Sequence, residues 1–131
     1  MPVKNIVRTA PAQRHYKEIS YESQAASWLV SDGWEVFLPM IDHDMKTDLL
    51  VADKHNFYRI QVKSLDTNQE DTVVENKWGD ADLDYIIYFS RRSHWGYLAR
   101  PFRQKRKRLN SKDHIRFHQD RKPFLKAFEK I

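Results

Sequence analysis

Two short apolar runs, Thr47-Asp48-Leu49-Leu50-Val51 and Phe57-Tyr58-Arg59-Ile60-Gln61-Val62-Lys63, flank the polar tetrapeptide Asp53-Lys54-His55-Asn56. β-Branched and aromatic residues on either side of a turn-forming stretch predict a β-hairpin. If the four polar residues are the loop, Ala52 faces Phe57, and counting back along both strands sets Asp48 directly opposite Gln61. Such partners carry Cβ atoms roughly 5 Å apart. With a side-chain period of two, Gln61 and Lys63 share one face of their strand, while Ile60 and Val62 point to the other. A carboxylate, an amide oxygen and an ammonium group therefore converge.

The rest of the chain supplies a setting for this hairpin. Residues 1–14, with two prolines and no periodicity, read as an irregular arm. From about Tyr16 to Asp32 the spacing predicts a helix ended by Gly33, with Ile19, Ala26, Leu29 and Val30 on or near one face. Glu22 falls on that face, where an unpaired charge would be costly to bury, so it needs a cation or metal as partner, or a salt bridge at the core margin. Trp34 to Leu38 reads as a strand stopped by Pro39, and Asp42, His43 and Asp44 in the loop beyond it read as solvent-exposed residues, not as a metal site. Residues 64–83 are a polar connection with one short strand at Thr72-Val73-Val74. Tyr85 to Phe89 is an apolar strand buried on both faces. Trp95 to Ala99 is a further strand, and Arg121 to Lys130 a closing helix with Phe124, Leu125 and Phe128 on its apolar side. The order of elements predicts one α/β (α+β) domain, a mixed central sheet flanked by helices.

Charge is distributed unevenly. Residues 1–90 carry 9 basic and 15 acidic side chains, whereas residues 91–131 carry 14 basic and 3 acidic. This basic C-terminal extension, with Arg91, Arg92, Arg103, Lys105, Arg106, Lys107 and Arg108 interleaved with His94, Trp95, Tyr97 and Phe102, is suited to the phosphates of a nucleic acid, where counterion release makes affinity depend on salt. A solvated basic loop is the plainer alternative. The chain has no cysteine, which excludes disulfides and thiolate metal sites and points to an intracellular protein. No apolar run is long enough to span a bilayer, and no secretory signal is visible.

Glu22, Asp48, Gln61 and Lys63, in the pattern E-x25-D-x12-Q-x-K, resemble the core of the PD-(D/E)XK nuclease superfamily. Ala25-Ala26, Gly33-Trp34-Glu35-Val36, Asp84-Tyr85-Ile86-Ile87 and Gly96-Tyr97-Leu98 extend the likeness over roughly residues 16–100. It is similar in particular to the small branch containing archaeal Holliday-junction resolvases and group I intron homing endonucleases. The resemblance implies a restriction-endonuclease-like fold and a metal-dependent DNA endonuclease using Mg²⁺, with Mn²⁺ able to substitute. It further implies that Asp48, the Gln61 amide oxygen and the Val62 main-chain carbonyl hold the metal, that Glu22 binds a metal-held water or a second ion, and that Lys63 holds the attacking water or the scissile phosphate.

Gln61 departs from the commoner Asp or Glu. It brings an oxygen but no charge, which leaves open a catalytically weak DNA-binding module on the same fold. Among active enzymes, a sequence-specific homing-type nuclease and a junction resolvase compete. Either would act on duplex or branched DNA as a homo-oligomer, dimer or tetramer, because so short a chain offers little reading surface alone.

Overall fold

A computed structural model describes residues 1–41 and 45–131; Asp42, His43 and Asp44 lie outside the described residues. In chain order the elements are α1 (Ala10–Ser31), β1 (Glu35–Phe37), β2 (Leu49–Ala52), β3 (Phe57–Leu65), β4 (Val73–Glu75), β5 (Tyr85–Ser90), β6 (Trp95–Ala99), β7 (Arg106–Arg108), β8 (Ile115–His118) and α2 (Arg121–Lys130). Six strands form one mixed sheet in the order β1-β2-β3-β5-β6-β8, and β4 pairs with β7 in a separate two-stranded ribbon. Among the described residues, only the β3–β5 pair is parallel.

The hairpin has the register expected from its turn: Ala52 pairs with Phe57, Val51 with Tyr58 and Leu49 with Ile60. The Asp53 carboxylate fixes the loop by accepting from the N–H groups of His55 and Asn56, both at 2.7 Å, as an Asx turn does. Ile60 and Val62 are buried beneath the helices together with Leu49, Val51, Ile87 and Phe89. α1 contributes Ala25, Trp28 and Leu29 to this layer, and α2 contributes Phe124, Leu125 and Phe128. On the other face of the sheet, Ile86, Tyr88, Tyr97 and Ala99 pack against Val74, Trp78, Phe102 and Leu109. β5 is thus buried from both sides, as its uninterrupted apolar run predicts.

Three expectations are corrected. α1 begins at Ala10, well before the end of the supposed irregular arm. Thr9 caps it by accepting from the Ala12 N–H at 3.3 Å, and Pro11 falls in the first turn, where a missing N–H costs nothing. Second, Ile19 and Val30 are exposed, at 44% and 58%, because the buried stripe follows Ala25, Trp28 and Leu29, an i, i+3, i+4 set to one side of them. Third, between Ala99 and the closing helix, where the sequence pattern predicts no strand, the chain forms β7 and β8. The predicted end of α1 holds, with Gly33 at φ +95° allowing the Trp34 N–H to reach back to the Leu29 carbonyl at 3.1 Å. Among the described residues no helix is long and apolar enough to cross a membrane.

Candidate active site

The sheet opens at one place, and the site lies there. β2 ends its ladder at Leu49, opposite Ile60, whereas β3 continues to Leu65 paired only with β5. The side of β3 beyond Ile60 therefore lacks its second strand. Asp48 fills the gap. Its N–H donates to the Ile60 carbonyl at 2.8 Å, and its carboxylate Oδ2 accepts from the Val62 N–H at 2.7 Å. In place of the expected direct pairing of Asp48 with Gln61, the ladder ends at Leu49 and the Asp48 carboxylate reaches one residue further along β3, standing in for a strand carbonyl.

A cleft of about 420 Å³ runs past this opening, lined by Glu18, Glu22, Asp48, Gln61, Val62, Lys63, Ser64, Leu65 and Lys77. All four residues of the spaced pattern are therefore gathered at one cavity by α1 and the hairpin. Glu18 and Glu22, one helical turn apart, enter from α1. Gln61 Oε1 is buried and has no hydrogen-bond partner. An amide oxygen left so costs about 1–3 kcal/mol, and a hard cation is the kind of group that would satisfy it. Ser64 Oγ, on the same cleft, is likewise buried and unpartnered.

The electrostatics at Lys63 are mixed. Burial pushes its ammonium pKa down, the cations Lys77 and Lys46 push the same way, and Asp48 and Glu18 oppose them. Among the described residues no three His, Asp or Glu side chains cluster closely enough to hold a metal by themselves. The donor set is instead oxygen from two kinds of group, the carboxylates of Asp48 and Glu22 and the Gln61 amide, and the unsatisfied amide oxygen makes that set fit a divalent cation.

The sequence pattern missed Glu18 and Lys77. Glu18 was open to discovery, since it lies four residues before Glu22. Lys77 comes from the connection between β4 and β5 and carries no local signal linking it to Lys63. The basic residues are not brought to the cleft as a group. Arg92 pairs with Asp66 at 2.8 Å, Arg106 with Glu75 at 3.7 Å, Lys107 with Asp113 at 2.5 Å and Arg108 with Asp71 at 4.0 Å. Arg91 is half-buried, while Arg103 and Lys105 are exposed with no ion pair among the described residues.

The mixed central sheet flanked by two helices, with the carboxylate-amide-lysine cleft at the open end of the hairpin, is of restriction-endonuclease-like architecture. The chain belongs to the PD-(D/E)XK endonuclease family, whose model matches residues 12–85. Its structure is similar to that of a bacterial homing endonuclease, I-Ssp6803I, with a TM-score of 0.53 and 19% identity over 79% of this chain and 74% of that one. No curated protein matches the sequence.

Proposed function

We propose that this protein is a divalent-metal-dependent endodeoxyribonuclease that hydrolyses phosphodiester bonds at specific sequences, leaving a 5′ phosphate. The observation that carries the reading is the buried, unpartnered Gln61 Oε1 on the cleft that Asp48, Glu22 and Lys63 also line. Asp48, Gln61 and the Val62 main-chain carbonyl would hold Mg²⁺, or Mn²⁺ in its place, with Glu22 adding a further oxygen. When bound, the cation supplies Lewis acidity at the phosphate and charge to offset that on the leaving 3′ oxygen. Lys63 orients the attacking water and balances charge on the phosphate, and its lowered pKa brings it nearer to exchanging a proton with that water. Lys77 offers a second cation to the phosphate.

The likeness to a homing endonuclease favours sequence-specific action over junction resolution, and a homo-oligomer, dimer or tetramer, would supply the reading surface. One observation favours a second reading. Gln61 contributes no negative charge and no three-residue acidic cluster is found among the described residues, which suits a DNA-binding module with weak or no cleavage.

Cleavage of a random duplex library with Mg²⁺ or Mn²⁺ tests both. Lys63→Ala and Asp48→Ala are expected to abolish cutting while DNA affinity persists. Cutting unaffected by both changes would overturn the assignment, and DNA binding without any cutting would favour the second reading. Competition between a four-way junction and linear duplex separates the resolvase, which would prefer the junction.

A further inference from the structure

The basic strand β7 is largely balanced by Glu75, Asp113 and Asp71, which leaves the question of where unbalanced positive charge meets the path of a nucleic acid. Besides Arg103 and Lys105, such charge lies at the other end of the chain. Residues 1–17 contain Lys4, Arg8, Arg14 and Lys17 and no acidic residue. All four are exposed and none has an ion pair among the described residues. From Ala10 to Ser20 the helix α1 carries no buried residue, so its first turns extend as a stem beyond the layer that packs on the sheet. A stem this short gains little stability from its own hydrogen bonds.

The stem is aimed by the same helix that lines the cleft. Glu22, Glu18 and Arg14 are spaced four apart and follow one stripe of α1. Along that stripe the charge changes sign, from the carboxylates at the cleft to a guanidinium roughly 12 Å further out, at about 1.5 Å per residue. That distance matches about three to four steps of a DNA strand at about 3.4 Å each. Just before the helix, the Arg8 guanidinium lies 4.8 Å from the centre of the Tyr16 ring, a cation–π contact that holds a second positive charge against the stem.

We infer that the arm and exposed stem of α1, through Lys4, Arg8, Arg14 and Lys17, form a phosphate-binding surface that holds DNA flanking the cleaved bond. This rests on the nuclease reading of the cleft. The competing occupant is a second copy of this chain, since Val3 and Val7 on the same arm are exposed, Val7 at 97%.

The test compares the full wild-type chain with the quadruple variant Lys4→Ala, Arg8→Ala, Arg14→Ala, Lys17→Ala, measured by fluorescence anisotropy on duplex DNA in EDTA over a salt series, with sedimentation velocity on both proteins. The expected result is an affinity loss of about tenfold or more and a shallower log–log salt slope, by about 0.9 for each phosphate contact removed, with circular dichroism and sedimentation unchanged. Wild-type binding that the variant retains at full slope overturns this inference alone. A changed sedimentation coefficient with an unchanged slope also overturns it and assigns the arm to self-association. Wild-type protein that binds no DNA overturns the nuclease reading together with the inference.

Discussion

The carboxylate of Asp48 accepts the Val62 backbone N–H at 2.7 Å, across the opening where β2 has ended and β3 continues. One oxygen of the acidic residue is thereby committed to the architecture of β3, and the side chain is positioned before any ligand arrives. Its two roles separate by substitution. Asp48→Asn keeps an acceptor for Val62 and is expected to unfold close to wild type, whereas Asp48→Ala strands that N–H and costs about 1–3 kcal/mol. Both are expected to lose plasmid cleavage. Urea unfolding alongside a nicking assay reads the split, and an equally unstable Asn variant would refute the positioning role.

Gln61 is the residue through which charge can be returned to the cleft. Gln61→Glu adds a carboxylate beside Asp48, so calorimetric titration with Mn²⁺ is expected to show tighter binding than wild type, by about tenfold or about 1.4 kcal/mol. Gln61→Leu removes the buried unpartnered oxygen and is expected to bind the ion more weakly while folding at least as well. Equal Mn²⁺ affinity in all three proteins would remove Gln61 from the ligand set.

Lys77 reaches the cleft from the connection between β4 and β5. Lys77→Met is expected to slow single-turnover cleavage by about tenfold, the loss of about 1.4 kcal/mol of charge stabilisation in the transition state, without lowering thermal stability. An unchanged rate at saturating DNA and metal would show that its ammonium does not touch the reacting phosphate.

Gly96 tests the sheet itself. A Cβ placed there would collide with the Phe117 ring and lie 2.5 Å from the Tyr88 carbonyl oxygen, a backbone atom that cannot rotate away. Gly96→Ala is therefore expected to destabilise the fold by about 1–3 kcal/mol, visible as a lower urea midpoint. A midpoint unchanged from wild type would mean that β5, β6 and β8 separate easily.

His114 gives stability a pH dependence. Its Nδ1–H donates to the Leu109 carbonyl at 2.7 Å, leaving Nε2 buried without a partner, and burial holds its pKa below the ordinary imidazole value. As pH falls through about 6.5 the unfolded chain takes up a proton that the folded chain refuses. Stability is expected to decline from there down to the folded-state pKa, and to decline less in His114→Phe. Parallel urea midpoints for the two proteins between about pH 7 and pH 5 would contradict this.

The hairpin was legible because turn chemistry and a period of two are local: Asp53 and Asn56 close the loop, and every residue from Phe57 to Val62 then has its face assigned. β5, β6 and α2 were legible as apolar runs with clear ends. The failures have physical causes as well. Extrapolating the ladder beyond Leu49 placed Asp48 opposite Gln61, but a strand's last residue is free to turn its side chain to an unpaired N–H further on. β7 is Arg106-Lys107-Arg108 and has no apolar alternation, so its pairing with β4, more than thirty positions earlier, left no trace in the pattern. Lys77 owes its place to the same long-range pairing.

The shared register of β2 and β3 limits how this protein can vary. A slip of one residue would turn Gln61 and Lys63 under α1 and α2 and expose Ile60 and Val62 in their place, so no shift could spoil the chemistry while sparing the core. Inactive but well-folded variants must therefore arise by exchange of side chains at fixed positions. Insertions or deletions in the hairpin should surface as insoluble protein, and a deep mutational scan that scores solubility and cleavage separately would find the two phenotypes inseparable for length changes there.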